Sequence, residues 1–305
     1  MEFNASSSQL LEITADSLVL STGSKLENIA KEIDEVLNGA ITSLITSGDF
    51  SGKASETCVL RNLNMPFKRI ILLGTDGASS PQKIIKAIEA GASAVFKTPA
   101  VNVVWAADGL AKDHHWQASI IARSTITAAY NYSGTGKKPE PKKLKATTYW
   151  CASESDSDAA ENGLNYGGAV GNGMNTARQL GNLPANVCTP NYLADQAKQL
   201  AEGQNNLTTS ILSEAQMQEL KMGSLLSVSA GSVEPANLIV MNYKGADSSM
   251  KPVVLVGKAV TFDTGGISLK PGRGMDEMKF DMCGGASVFG VMNALLETKL
   301  PVNVI

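Results

Sequence analysis

Histidine and closely spaced cysteines are scarce in this sequence. The two histidines, His114 and His115, are adjacent, and neighbouring residues of a helix point to different faces. We therefore interpret them as surface residues and not as a chelating pair. The four cysteines are widely spaced and form no Cys-x-x-Cys pair. This spacing argues against a zinc knuckle and is typical of buried free thiols in a reducing cytoplasm.

Long apolar runs and a strong net charge are absent as well. No apolar run reaches the ~18 residues of a membrane span, and the first residues lack the basic and apolar regions of a signal peptide. A formal net charge of −3 gives no general attraction to nucleic acids or to membranes. We therefore expect a cytoplasmic protein with no membrane partner.

One local exception to this charge balance is a lysine group beside two prolines. Its members are Lys137, Lys138, Lys142, Lys143 and Lys145. We interpret the group as a solvated loop, and a weak patch for an anionic partner is the alternative. The sequence also has no Walker A loop, no Gly-x-Ser-x-Gly elbow and no complete dinucleotide fingerprint, so these chemistries are not indicated.

The apolar pattern predicts an α/β protein of two domains, for which 305 residues are enough. In residues 1–150 it predicts strands and helices in alternation, and therefore a largely parallel sheet flanked by helices. The predicted strands are 18–20, 69–74, 101–105 and 144–150. The predicted helices are 25–47, 81–96 and 113–130.

Residues 151–182 predict a connecting helix that is rich in small residues. Each glycine inside a helix costs about 1 kcal/mol relative to alanine, so several of them suggest close packing against a neighbour. Residues 183–305 predict a second domain with a mixed or largely parallel sheet flanked by helices. Its predicted helices are 190–200, 214–221 and 285–298, and its predicted strands are 207–212, 238–243, 252–257 and 301–305. Because the last of these has the pattern of a core strand, we expect this domain to be incomplete.

Lys258, Asp263, Lys270 and Asp281 lie on glycine-containing turns after the predicted strand 252–257. This places lysines and carboxylates at the carboxyl edge of a sheet, where open α/β sheets bind ligands. Carboxylate oxygens and close backbone approach are also what a metal site requires. The two carboxylates taken alone could equally be a helix-cap pair or members of surface salt bridges.

The stretch from Val256 to Gly285 resembles the leucyl (cytosol) aminopeptidase family, bacterial type, nearly residue for residue. A second stretch, 178–190 followed by Leu193 and Ala194, is similar to the start of that family's catalytic domain. In the first domain the resemblance rests only on the order of the predicted strands and helices. The resemblance as a whole implies an N-terminal α/β domain at 1–150, a connecting helix at 151–182, and the front part of a metallo-aminopeptidase domain at 183–305.

The resemblance implies a role for each of the four residues. Lys258 is implied to bind one metal as a neutral amine, Asp263 to bridge two metals, and Asp281 to bind the metal that Lys258 binds. Lys270 is implied to be catalytic and to contact substrate near the scissile carbonyl. These roles are chemically reasonable, because a nearby dication lowers the pKa of a lysine and a cationic lysine stabilises a developing oxyanion. The implied cofactors are two divalent ions, Mn²⁺ first, with Zn²⁺ or Mg²⁺ as alternatives.

The same resemblance implies that peptides are cleaved from the N-terminus by metal-activated water, that leucine-like residues are preferred, and that the full-length protein is a homo-hexamer. Met278 would border the substrate side-chain pocket. The family's second ligand block, Asn-Thr-Asp-Ala-Glu-Gly-Arg-like, supplies an Asp, a bridging Glu and an Arg that holds bicarbonate, and it does not occur here. We therefore expect this chain alone to bind metal weakly and to be essentially inactive.

Two other functions remain as alternatives. Some bacterial members of the family bind DNA as regulators or recombination accessory proteins, although the acidic balance does not indicate DNA here. A non-catalytic pseudo-enzyme is the other possibility, and the presence of all four polar residues gives no reason to prefer it.

Overall fold

A computed structural model describes residues 1–61, 63, 65–107, 110–134, 136 and 139–305. The chain forms two compact units, the first of residues 1–130 with 140–171 and the second of residues 131–139 with 172–305. Lys137 and Lys138 of the lysine group lie outside the described residues. No helix in the described part of the chain is both long enough and apolar enough to cross a membrane.

The first unit is built on a sheet that has six strands among the described residues. They are β1 (Glu2–Ser6), β2 (Ala15–Thr22), β3 (Thr57–Arg61), β4 (Phe67–Gly74), β5 (Asn102–Ala106) and β6 (Ala146–Trp150). Their order is β1-β6-β5-β2-β4-β3, and every neighbouring pair is parallel except β3 with β4. The predicted largely parallel sheet is therefore confirmed.

Helices cover both faces of this sheet. They are α1 (Asn28–Val36), α2 (Ala40–Ser47), α3 (Pro81–Phe96) and α4 (His114–Ala129). In β4, Ile71 and Leu73 join one core with α3 and α4, whereas Ile70 and Leu72 join another with α1 and α2. Because successive side chains of a strand point to opposite faces, a continuous apolar run fits a sheet that is buried on both sides.

Two details of the first unit differ from the prediction. The helix predicted over 25–47 is two helices, α1 and α2, because Asn38 and Gly39 have positive φ angles of 52° and 81°. Such angles end a right-handed helix, although the apolar spacing continues across them. The strands β1 and β3 were not predicted, because β1 is short and polar in part and both lie at edges of the sheet.

The helix predicted over 151–182 is observed as α5 (Ser157–Asn182), and its role as a connector of two domains stays a prediction. In the first unit, a Cβ atom on Gly163 would lie 2.2 Å from the carbonyl oxygen of His115, and one on Gly167 would lie 2.0 Å from that of Ser119. Both carbonyls belong to α4. The prediction that these glycines allow close helix packing is confirmed.

The second unit contains α6 (Pro190–Ala201), β7 (Leu207–Leu212), α7 (Glu214–Glu219), α8 (Gly223–Ser229), β8 (Leu238–Lys244), α9 (Cys283–Thr298) and β9 (Asn303–Val304). Within the described ranges the order of its sheet is β7-β8-β9, and both pairs are antiparallel. A parallel bridge between Val253 and Val304 makes the pairing mixed. Helix α8 was not predicted. The end of α5 packs tightly on α9, since a Cβ atom on Gly173 would lie 2.4 Å from the carbonyl oxygen of Gly290.

The strand predicted over 252–257 was wrong as a regular strand. Val253 donates its N–H to Asn303, and Leu255 donates to Ile305, so the segment is extended along β9 on one side. In the described part of the chain this segment forms the isolated bridge between Val253 and Val304 but no regular strand. Val256 is 92% exposed. The apolar composition of the segment therefore predicted its backbone better than its pairing.

Candidate active site

Glycines fix the backbone of Lys258 against the start of α9. A Cβ atom on Gly257 would lie 2.5 Å from the carbonyl oxygen of Gly284, and one on Gly285 would lie 2.7 Å from the Cβ of Ala259. The N–H of Gly285 donates to the carbonyl oxygen of Lys258 at 2.6 Å. No side chain fits between the two segments at these positions, so glycine is required for their approach.

A tight loop returns Lys270 to Asp263. Gly265 has a φ angle of 94°, and a Cβ atom there would lie 2.3 Å from the carbonyl oxygen of Ser268. The N–H of Lys270 donates to the carbonyl oxygen of Thr264 at 2.9 Å, and the N–H of Gly265 donates to Oδ1 of Asp263 at 2.8 Å. The ammonium of Lys270 then lies 2.5 Å from Oδ2 of Asp263.

Asp281 comes from a 3₁₀ segment, Met275–Met282, that leads into α9. Met282 is buried in the core of the second unit and anchors the end of the segment. The Oδ2 atom of Asp281 is shielded from solvent, and the ammonium of Lys258 lies 2.7 Å from it. The 3₁₀ segment thus delivers a carboxylate oxygen to the side chain of Lys258.

Electrostatic effects join these two ion pairs into one cluster. The hydrogen bond with Asp281 raises the pKa of Lys258, and the charge of Asp263 raises it further. The hydrogen bond with Lys270 lowers the pKa of Asp263, with the N–H of Gly265 and the charge of Lys258 acting in the same direction. We call Lys258, Asp263, Lys270 and Asp281 the Lys-Asp cluster.

All four polar residues selected from the sequence therefore lie together. Met278 is half-buried on the same 3₁₀ segment as Asp281, and its contact with substrate stays a prediction. In the described residues no three histidine, cysteine, aspartate or glutamate side chains are placed to share a metal ion. The cluster itself holds two carboxylates and two lysine amines.

The two histidines and the four cysteines are not members of this cluster. His115 is exposed, but His114 is half-buried, which corrects the prediction of a surface residue. Its Nδ1 lies 2.9 Å from the hydroxyl of Tyr149 and its Nε2 lies 3.4 Å from Asp156. All four thiols are free, as predicted, but only Cys151 and Cys188 are buried, and Cys58 and Cys283 are half-buried. Burial raises the pKa of Cys283, consistent with a packing residue.

Sequence reasoning did not predict an apolar groove of about 590 Å³ in the second unit. Met241, Val256 and Phe289 line it, together with Lys258 of the Lys-Asp cluster. The adjacent valines of the segment 253–256 were a signal, but we interpreted them as strand residues that a sheet would cover. Their exposure follows from the one-sided pairing of this segment.

Two family models match the chain along most of its length. The cytosol aminopeptidase family, catalytic domain, matches residues 175–305, and the cytosol aminopeptidase family, N-terminal domain, matches residues 18–139. The chain belongs to the cytosol aminopeptidase family. The second match supports the resemblance of the first domain, which the sequence had indicated by layout alone.

Relatives with known names agree with this membership. A probable cytosol aminopeptidase of Pseudomonas paraeruginosa is 41% identical over 314 residues, which cover 100% of this chain and 63% of the relative. The cytosol aminopeptidase of Pseudomonas aeruginosa is 40% identical with the same coverage. The chain thus spans 63% of the length of these relatives. Neither the family models nor these names support the DNA-binding or pseudo-enzyme alternatives.

Solved structures give the same result. A mutant of tomato leucine aminopeptidase superposes with a TM-score of 0.85 at 28% identity, over 100% of this chain and 61% of that chain. The bottromycin maturation enzyme BotP in complex with Mn superposes with a TM-score of 0.74 at 26% identity, over 95% of this chain and 58% of that chain. The fold is therefore that of leucine aminopeptidase-like proteins.

Proposed function

We propose that this protein is a metal-dependent aminopeptidase that releases N-terminal residues, leucine-like ones preferred, from peptides. The observation that carries the proposal is the convergence of Lys258, Asp263, Lys270 and Asp281 within one cluster. The cluster belongs to a chain whose relatives and structural neighbours are aminopeptidases by name. This convergence supports the proposal because one fold can host many functions, so the residues of a site indicate its chemistry better than the fold does.

The donor set fits a divalent cation. The shielded Oδ2 of Asp281 already faces a cationic group, the ammonium of Lys258, which supports a positively charged ligand at this place. Asp263 and Asp281 would supply oxygen ligands, and Lys258 would supply a neutral amine nitrogen. Two carboxylates and one amine are few donors for two ions, so we expect the 305-residue chain to bind them weakly.

The complex of BotP with Mn supports Mn²⁺ as the first ion to test, with Zn²⁺ and Mg²⁺ as alternatives. Bound divalent ions supply Lewis-acid polarisation of the scissile carbonyl and activate water for attack. The residues of this chain hold those ions and contact the substrate.

Lys270 is the proposed catalytic residue. Its side chain is 35% exposed, so its ammonium can reach a substrate at the edge of the cluster. There it would donate to the carbonyl oxygen as negative charge develops, which is electrostatic stabilisation of the transition state. Asp263 positions that ammonium, since its Oδ2 lies 2.5 Å from Nζ.

The same proposal includes three broader properties. Peptides are the substrates, and Met278 borders the pocket for the N-terminal side chain. The full-length protein assembles as a homo-hexamer, which analytical ultracentrifugation would test. The name of the relative from Pseudomonas aeruginosa, cytosol aminopeptidase, supports a cytoplasmic location.

Mn²⁺ binding by the 305-residue chain tests the proposal. We would compare the wild type with Asp263→Asn and Asp281→Asn by calorimetry, and use Asp195→Asn as the control because Asp195 is 64% exposed beside Lys198. We expect each cluster variant to lose at least about tenfold in affinity, since each removes one ligand, and the control to match the wild type. Equal binding by all four proteins, or no binding by the wild type at millimolar Mn²⁺, contradicts the proposal.

Hydrolysis of leucine p-nitroanilide is the second measurement. We expect a rate near background for this chain alone, because the described residues supply few metal ligands. Strong hydrolysis that a chelator blocks would support the proposed reaction and would show that the expectation of inactivity was wrong.

A further inference from the structure

Asp281 depends on a segment that has little regular structure of its own. The segment Met275–Met282 is a 3₁₀ helix, whose hydrogen bonds are poorer than those of an α-helix and whose long runs are uncommon. Its last residue, Met282, is buried in the core of the second unit. A second tether on the other side of Asp281 would be needed to fix where the carboxylate lies.

Lys279 provides such a tether. Its Nζ donates to the carbonyl oxygen of Asn182 at 3.4 Å, and it also lies 4.8 Å from the centroid of the Phe280 ring. Asn182 is the last residue of α5. A contact between residues 182 and 279 therefore joins the end of that helix to the segment that carries Asp281.

The end of α5 is a favourable place for this lysine. The last carbonyl groups of a helix have no partners within the helix, and the helix dipole makes this end negative. The last four residues of α5, Gln-Leu-Gly-Asn at 179–182, include no lysine or arginine. Lys279, from elsewhere in the second unit, thus places a positive charge at a helix end whose last four residues carry none.

The burial of Lys279 supports a structural use of its charge. Lysine side chains are mostly exposed in proteins, yet Lys279 is half-buried although the next residue, Phe280, is exposed. Its aliphatic stem can pack while the ammonium reaches the helix end.

We propose that Lys279 is a positioning residue that holds Asp281 in the Lys-Asp cluster by tethering the 3₁₀ segment to the end of α5. The inference rests on the proposed function, because it assigns to Lys279 a part in metal binding. Lys279 touches neither metal nor substrate in this role. It acts through Asp281, which lies two residues further along the chain.

Three variants test the tether. Lys279→Met keeps the stem and removes the charge, and Lys279→Arg restores a charge and its donors. Lys198→Met is the matched control, because Lys198 stands in the last turn of α6 and makes an exposed ion pair with Asp195. Hydrogen exchange of residues 275–285 reports whether the segment is held, and Mn²⁺ binding by calorimetry reports whether its position matters to the site.

We expect Lys279→Met to speed exchange in residues 275–285 and to weaken Mn²⁺ affinity by about tenfold, the order measured for partners behind metal ligands. Lys279→Arg should restore both, and Lys198→Met should change neither. Unchanged exchange and affinity in Lys279→Met overturn the inference, as does a loss of affinity that arginine does not restore.

The failure of the proposed function has a different signature. If the wild type shows no Mn²⁺ binding that depends on Asp281, the proposed function fails and the metal-binding part of this inference fails with it. The exchange experiment still decides, without metal, whether Lys279 holds the segment. Circular dichroism spectra of all variants identify any that fail to fold. If Lys279→Met is one of them, Lys279→Gln, which also removes the charge, replaces it in the comparison with Lys279→Arg and Lys198→Met.

Discussion

In the first unit, β2 and β4 pair with other strands on both sides, and their apolar side chains are buried. In the second unit, the segment 253–257 pairs on one side, and Val256 is 92% exposed. Both stretches are similarly apolar in sequence. The difference teaches that an apolar run predicts extended backbone, while burial and pairing depend on which neighbours are present.

The comparison also separates stability from chemistry. The first unit has buried cores on both faces of its sheet, and the polar residues of the proposed site lie in the second unit beside an exposed segment. We therefore expect core substitutions in the first unit to affect folding strongly, and substitutions in the Lys-Asp cluster to affect ligand binding with little effect on folding.

The largest expected effect is that of Leu72→Ala in β4. Leu72 is 0% exposed, so its truncation leaves a cavity and should cost about 2–5 kcal/mol of unfolding free energy. Val256→Ala should change stability by less than about 0.5 kcal/mol, because the side chain is already in water. Urea unfolding followed by circular dichroism measures both. Similar costs for the two variants would show that the contrast in burial does not govern stability.

Gly167→Ala should have the next largest effect. Alanine favours a helix over glycine by about 1 kcal/mol, but its Cβ would lie 2.0 Å from the carbonyl oxygen of Ser119. The clash should dominate and cost about 1–3 kcal/mol.

The control for this substitution is Gly223→Ala at the start of α8, where nothing lies within 4 Å of the new Cβ. It should be neutral or slightly stabilising in thermal unfolding. A stabilising Gly167→Ala would show that the two helices can separate without cost.

Asp16→Asn tests a polar contact in the first unit through its pH dependence. Lys68 lies 2.7 Å from Asp16, and the N–H of Val101 donates to it at 2.9 Å. These interactions, Lys68 first, lower the pKa of Asp16 in the folded state. The lowered pKa contributes stability that is fully present above the unfolded value of about 3.9 and is lost as the pH falls through the folded value.

We therefore expect Asp16→Asn to cost about 1 kcal/mol at neutral pH, and the difference from wild type to shrink as the pH falls below about 4. Urea unfolding over a series of pH values measures this. A difference that persists unchanged into acid would mean that the charge of Asp16 is not its source.

Lys258→Met should have the smallest effect on folding. The side chain of Lys258 is 57% exposed, and ion pairs in contact with water contribute little to stability. The midpoint of urea unfolding should stay that of the wild type, while Mn²⁺ binding is lost with the amine ligand. A large loss of stability would indicate that the cluster helps to fold the second unit.

Strong local signals explain where the sequence predicted the fold well. Helix α3 has the bounds predicted from the sequence, because Ser80 caps its N-terminus and Pro81 opens its first turn. The strand β7 also has its predicted bounds. The break between α1 and α2 was not predicted, because it depends on backbone angles at Asn38 and Gly39 that the apolar spacing does not reveal.

The candidate site shows the same limit. The four residues of the Lys-Asp cluster were selected correctly as neighbours, since a contiguous motif carries them. Which lysine pairs with which aspartate was not predicted, because the pairs depend on the return of the loop at Gly265 and on the approach of α9. The contact of Lys279 with Asn182 joins residues 97 positions apart, and neither residue has a local pattern that indicates it.

The division of the chain into two units has an optical consequence. The three tryptophans, Trp105, Trp116 and Trp150, all belong to the first unit, and residues 131–139 and 172–305 contain none. Tryptophan emission during denaturation therefore reports on the first unit, whereas far-ultraviolet circular dichroism reports on the helices of both. Non-coincident curves from the two signals would show that the units unfold in separate steps, and a tryptophan placed at Phe280 would make the segment that carries Asp281 visible by its own emission.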